Sequence, residues 1–78
     1  MKLLDPAALS ASSKEAVRLS FNPSGQDRVY SIKLAAASLI HILEEIRAEG
    51  IAAREASIAI TEIETATMWA VKAATKNA

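Results

Sequence analysis

Gly50 is the residue that most constrains this chain. It directly follows Glu49 and suits the left-handed position that closes a helix. Before it, Val29, Ile32, Ala36, Leu39, Leu43 and Ile46 recur at spacings of three and four, one face of a helix, and Ile40 and Ile42 widen that face. This helix is expected to begin near Ser24 to Asp27, either of which can cap it, and to run to about Glu49. After Gly50 a second helix is expected from about Ile51 to Lys76. Its seam is small: Ala52, Ala56, Ala59, Ile63, Ala66, Ala70 and Ala73. A connection this short makes the two helices antiparallel neighbours.

Such a hairpin is marginal by itself. The chain has 78 residues, one domain at most. A domain of this size buries only about 60% of the surface its unfolded chain exposes. Hydrophobic residues make up 51% of it, but alanine supplies much of that share, and each alanine buries little area. A second apolar set on the second helix, Ile58, Ile60, Met68 and Val71 with Trp69, lies off the alanine seam, so the helix needs more than one packing partner. Self-association supplies it.

The N-terminal part is less regular. Residues 1–15 form an arm, in which Asp5-Pro6-Ala7-Ala8-Leu9 is either one helical turn capped by Asp5 or a loose segment. In Ala16–Phe21 the side chains of Val17, Leu19 and Phe21 alternate with Arg18 and Ser20, the period-two pattern of a half-buried strand. The turn cluster Asn22-Pro23-Ser24-Gly25 ends it. The expected fold is therefore mainly α: an N-terminal arm over residues 1–15, then a domain over residues 16–78 made of a short β-strand and an antiparallel two-helix hairpin, assembled as a homo-oligomer.

Composition removes several function classes. Nine basic and nine acidic side chains give a net charge of zero, whereas a protein of nucleic-acid polymers normally shows a basic stripe. There is no cysteine and one histidine, His41, so thiolate and histidine-rich metal sites are excluded; the lack of cysteine suits a reducing cytoplasm. No apolar run approaches the roughly 20 residues of a membrane span, and Met1–Ser13 does not read as a secretory signal. Glu44-Glu45 and Glu62/Glu64 are spaced so that their carboxylates diverge on a helix. No nucleophile elbow, phosphate-loop lysine or metal box appears, so neither an enzyme nor a cofactor is expected.

Two features can hold a ligand. Asn22-Pro23-Ser24-Gly25 leads into a helix N-terminus, where amides attract phosphate, although ordinary turn and cap chemistry uses the same residues. Lys33 lies two turns on and either reaches a phosphate or snorkels at the surface. On the second helix Arg54, Ser57, Thr61, Thr65 and Lys72 form a polar ladder, suited to hydrogen bonds across a subunit interface or to lining a pocket between subunits.

Phe21-Asn22-Pro23-Ser24-Gly25 with Arg28-Val29-Tyr30-Ser31-Ile32-Lys33, and then Ser57-Ile58-Ala59-Ile60-Thr61-Glu62 and Met68-Trp69-Ala70-Val71-Lys72-Ala73, resemble phage proteins that sequester nucleotide signals. These are the anti-Thoeris and anti-CBASS sponges, and the Asn-Pro-Ser-Gly turn is closer to the anti-Thoeris branch. The resemblance spans roughly Phe21 to Lys76. It implies a homohexamer of hairpins in the host bacterial cytoplasm, binding cyclic dinucleotides, glycocyclic ADP-ribose or cyclic trinucleotides between protomers without cleaving them. It implies that Lys33 contacts phosphate, that a base stacks near Phe21, and that Lys72 stands where some relatives have arginine, which weakens bidentate recognition. Ile60 stands where some relatives carry a basic residue, which puts a trinucleotide pocket in doubt. The alternatives are a structural or protein-binding hairpin without a small ligand, and a regulator that binds nucleic acid through an assembled basic surface.

Overall fold

The structure is a computed structural model and describes residues 4–76. The first three residues of the expected arm and the last two of the chain lie outside that range. A single 3-10 turn, Pro6–Ala8, is followed by helices α1 (Ala11–Val17), α2 (Asp27–Glu49) and α3 (Ala53–Thr75). Helices α2 and α3 form the hairpin; α1 packs mainly on α2 and touches α3.

The hairpin follows from its turn. Gly50 has a positive φ of 93° and its amide donates to the Arg47 carbonyl, which closes α2. Ala, Ile, Leu and Glu are the commonest residues of α2, and Ala, the best helix former, is the commonest of α3, with seven copies.

The buried faces are rotated from those expected. On α2 the stripe is Val29, Lys33, Ala37 and Ile40, with Ser38 beside it, while Leu39 and Ile46 are exposed. The expected periodicity treats Lys33 as polar and therefore exterior. In fact its four-carbon stem fills a core position between Val29 and Ala37, one turn to either side. On α3 the stripe is Ala56, Ile60 and Thr67, with Ile63 partly buried; Ala66 and Ala73, expected in the seam, are exposed. Thr67 takes this place because its hydroxyl donates to the Ile63 carbonyl within the helix (2.7 Å), leaving a methyl to pack.

There is no strand among the described residues, so the strand expected at Ala16–Phe21 is replaced by the end of α1 and a turn. Ser10 caps α1 through its hydroxyl, which accepts from the Ser13 amide. At the other end Leu19 N–H donates to the Lys14 carbonyl (3.0 Å) and Arg18 N–H to the Glu15 carbonyl (3.1 Å), the two bonds of a Schellman closure. Arg18 takes the left-handed conformation that this closure requires, φ 52° and ψ 57°. A non-glycine residue there costs about 1 kcal/mol. The reversal returns Leu19 to the core beside Val17, so both alternate residues point inward as a strand would have them. The alternation is real; its cause is a helix cap. The division expected between residues 15 and 16 falls inside α1.

The N-terminal segment is part of the core. Leu9, Val17 and Leu19 are buried with Ala37, Ile40 and Ile60, and Leu4, Ala16, Leu34 and Leu43 pack around them. Asp5 caps the 3-10 turn by accepting from the Ala7 amide (2.9 Å), as its position before Pro6 leads one to expect. Ser38, His41 and Glu44 recur every three residues on α2 and take up the segment's polar groups. Ser38 Oγ accepts from the Leu4 amide, His41 Nδ1 from the Ser10 amide, and the two Glu44 oxygens from the hydroxyls of Ser10 and Ser12.

Candidate functional site

The Asn22–Gly25 turn is self-contained. Gly25 N–H donates to the Asn22 carbonyl (3.1 Å), and Gly25 has φ 67°, a value open to glycine at little cost. Asn22 Nδ2 donates to the Gln26 carbonyl, and Ser24 Oγ donates to Asn22 Oδ1 while accepting from the Gln26 amide. The side chains of Asn22 and Ser24 are thereby committed to the turn. Neither Ser24 nor Asp27 caps α2: Gln26 is the cap residue and no side chain bonds there. Pro23 is exposed and, with Asn22 and Ser24, forms one wall of a cavity.

Phe21 and Lys33 stand at the centre of this region. Lys33 is only 7% exposed, so the surface-reaching side chain considered from the sequence is not what folds. Its ammonium donates to the carbonyls of Arg18 (3.1 Å) and Phe21, tying the α1–α2 connection to α2. An ammonium has three N–H donors, so these two bonds leave one available. Burial, and secondarily the nearby Arg18 guanidinium, hold the Lys33 pKa below its ordinary value of 10.5. The Phe21 ring is half exposed and carries cations close by: Arg18 Cζ lies 4.3 Å from its centroid and Lys33 Nζ 5.5 Å.

Two cavities meet at this pair. One, of about 320 Å³, lies between the end of α1 and α3; Arg18, Phe21, Lys33, Glu64, Thr67 and Met68 are among its walls. The other, of about 280 Å³, lies under the Asn22–Ser24 turn against Val71 and Thr75 of α3. Phe21, Lys33 and Val71 line both. Mainly apolar walls with a few polar groups and one buried cation suit a ligand that has both flat apolar surface and negative charge.

The other residues singled out from the sequence lie elsewhere. Ser57 and Thr61, with Ile58 and Glu62, line a shallow, open depression on α3. Thr61 Oγ1 donates back to the Ser57 carbonyl and Thr65 Oγ1 to that of Thr61, so these hydroxyls offer lone pairs rather than protons to a partner. Arg54 is exposed near the start of the same helix. Lys72 is also exposed and lies 5.0 Å from the Trp69 ring, outside both Phe21 cavities. Thr61 lines neither cavity, though Glu64, three residues on and roughly 4.5 Å along the helix, is a wall of the first. Within one protomer the structure therefore joins Phe21, Asn22, Pro23, Ser24 and Lys33, and keeps Arg54, Ser57, Thr61 and Lys72 apart from them.

Sequence reasoning missed Arg18, Glu64, Thr67, Met68, Val71 and Thr75 as walls of the cavities. The α3 residues have a signal in retrospect, since an antiparallel hairpin brings the end of α3 beside the start of α2. No group of three or more His, Cys, Asp or Glu side chains is placed to hold a metal ion among the described residues. No helix of the structure is long and apolar enough to cross a membrane.

Compared with known proteins, the chain matches the family model described as Acb2/Tad1, hairpin domain, over residues 13–75. That range starts inside α1 and ends with α3, so it takes in the Phe21–Lys33 cluster and the whole hairpin. No curated protein and no solved structure matches.

Proposed function

Because the chain belongs to the Acb2/Tad1 hairpin-domain family, the anti-CBASS and anti-Thoeris sponges, we propose that it captures cyclic nucleotide second messengers and holds them without cleaving them. The ligand class is cyclic dinucleotides and glycocyclic ADP-ribose, with cyclic trinucleotides a further candidate. The compartment is the host bacterial cytoplasm. The observation that carries the reading is the Phe21–Lys33 cluster: a buried ammonium with one remaining donor, beside a half-exposed aromatic ring, at the junction of two largely apolar cavities. Phosphate takes the cation and bases take the ring and apolar walls. A sponge must outcompete an immune receptor, which calls for nanomolar affinity, about −12 kcal/mol.

The working form in this reading is a homo-oligomer, with six copies as the family resemblance implies. Met68 and Trp69 are 67% and 64% exposed, and Ile51 is 99% exposed. Large apolar side chains left open in this number on so small a chain favour association. They equally favour the alternative of a structural or protein-binding hairpin without a small ligand. Calorimetry with cyclic GMP-AMP, glycocyclic ADP-ribose and a cyclic tri-adenylate separates the two. Submicromolar binding to at least one, with the ligand recovered intact after denaturation, supports the sponge. Absence of binding to all three leaves the protein-binding hairpin, and a hydrolysed or linearised product rules out a passive sponge.

A further inference from the structure

Arg18 occupies the position of the α1 closure where glycine is usual, and it is the one non-glycine residue with positive φ among the described residues. The closure does not need its side chain, since both bonds are made by backbone amides. Strained backbone that persists points toward a role for the side chain it carries. That side chain lies between two depressions. One is the cavity of about 320 Å³ shared with Phe21 and Lys33; the other, of about 400 Å³, is formed by Lys14, Glu15, Leu19, Ser20 and Tyr30. Arg18 is exposed and its Cζ lies 4.3 Å from the Phe21 ring centroid, so the ring face holds the guanidinium beside the cavity while no hydrogen bond within the described residues occupies its donors. Its carbonyl is bound by the Lys33 ammonium, and the two cations lie beside the same ring, 4.3 and 5.5 Å from the Phe21 centroid.

We propose that Arg18 is a ligand-contacting residue, forming with Lys33 a two-cation wall that holds an anionic phosphate at the mouth of the Phe21 cavity. This rests on the cyclic nucleotide reading and adds to it a residue for which the sequence gives no motif. Like charges held this close repel one another, and the repulsion is relieved when an anion sits between them. The arrangement thus favours ligands that bring a phosphate over uncharged nucleosides of similar shape.

Two substitutions test the role. Arg18→Gly relieves the left-handed backbone, and Arg18→Asn keeps a side chain that tolerates that conformation. Each is compared with the wild-type chain by calorimetry against cyclic GMP-AMP, glycocyclic ADP-ribose and a cyclic tri-adenylate, and by urea unfolding. In the expected result, affinity for whichever probe the wild type binds falls about tenfold or more in both variants, and its dependence on salt becomes shallower. The urea midpoint of Arg18→Gly stays level or rises, which a purely structural arginine would not allow. Affinity within about twofold of wild type in either folded variant overturns the role of Arg18 and leaves the sponge reading intact. If the wild type binds none of the three probes, the sponge reading falls and this inference falls with it. If Arg18→Gly does not fold, the side chain is structural where the backbone is not, and the proposal is overturned unless Arg18→Asn folds and loses affinity.

Discussion

Replacing Lys33 by methionine separates the packing of this side chain from the pinning done by its ammonium and from the phosphate contact proposed for it. Methionine has a similar length and no branching, so it can keep the stem's place between Val29 and Ala37. What it removes is the ammonium, and with it the bonds to the carbonyls of Arg18 and Phe21. A hydrogen bond to a charged group contributes about 1.5–3 kcal/mol. Both acceptors lie in an exposed connection, where water can replace the lost donor. The substitution also ends the burial of a charge, which holds the Lys33 pKa down. The net loss expected is therefore about 1–3 kcal/mol, well below the sum of two such bonds. For a domain of this size that lowers the melting temperature by roughly 4–8 °C for each kcal/mol. Affinity for a cyclic nucleotide should fall about 10- to 150-fold, the equivalent of one charge-assisted phosphate contact. Urea unfolding and calorimetry on the same preparation read both quantities. A stability loss with unchanged affinity would mean that Lys33 only pins the connection, and the phosphate assignment would fail. Unchanged stability would refute the pinning argument itself.

Further outcomes follow from other contacts. Leu9→Ala should destabilise the fold by about 2–4 kcal/mol in urea unfolding, because Leu9 is a buried core residue; a loose arm would give less than about 0.5 kcal/mol. Burial raises the Glu44 pKa, but the hydroxyls of Ser10 and Ser12, with Arg47 and His41, outweigh it and leave the carboxyl below its ordinary 4.5. Its contribution is therefore complete above pH 4.5 and is lost as pH falls through the lowered value, so the urea midpoints of wild type and Glu44→Gln should differ at neutral pH and converge in acid. A gap that stays constant with pH argues against the clasp. Light scattering at micromolar concentration should give an oligomeric mass, reduced by Trp69→Ser; a monomeric wild type would refute the association argument.

The hairpin was legible in the sequence because its determinants are local. Gly50 and two stretches of helix-forming residues specify a turn between helices whatever they pack on. The exact faces were not, because periodicity weighs residue type and Lys33 is a charged residue whose stem occupies a core position. The missed helix α1 has a similar origin. Val17, Leu19 and Phe21 alternate, and alternation carries the same signature whether it comes from an extended strand or from a left-handed residue that folds the chain back. Deciding between them requires knowing that Arg18 tolerates φ 52°, which arginine rarely adopts. The clasp of Ser10 and Ser12 on His41 and Glu44 spans more than thirty positions and leaves no local pattern. In the candidate site, the Asn22–Gly25 turn was readable from residue type alone. That Lys33 and Phe21 meet depends on where α1 ends, which only the tertiary structure decides.

Ser57 and Thr61 line neither Phe21 cavity and lie roughly 21 and 15 Å along the helix from the Val71 wall. The hydroxyl protons of Thr61 and Thr65 are bonded back to the helix, so the groups these residues present outward are acceptors, a poor match for phosphate oxygens and a good one for base or ribose donors. Lys33 and Arg18 present the opposite character, donors and positive charge. In the sponge reading these complementary halves face one another when the mid-α3 face of one copy approaches the Phe21 end of another. Exposed Ile58 lies on that face, and exposed Met68 lies at the edge of the cavity. In that reading the same apolar contacts that would hold copies together would close the open side of the pocket, so that association and ligand capture would share one surface.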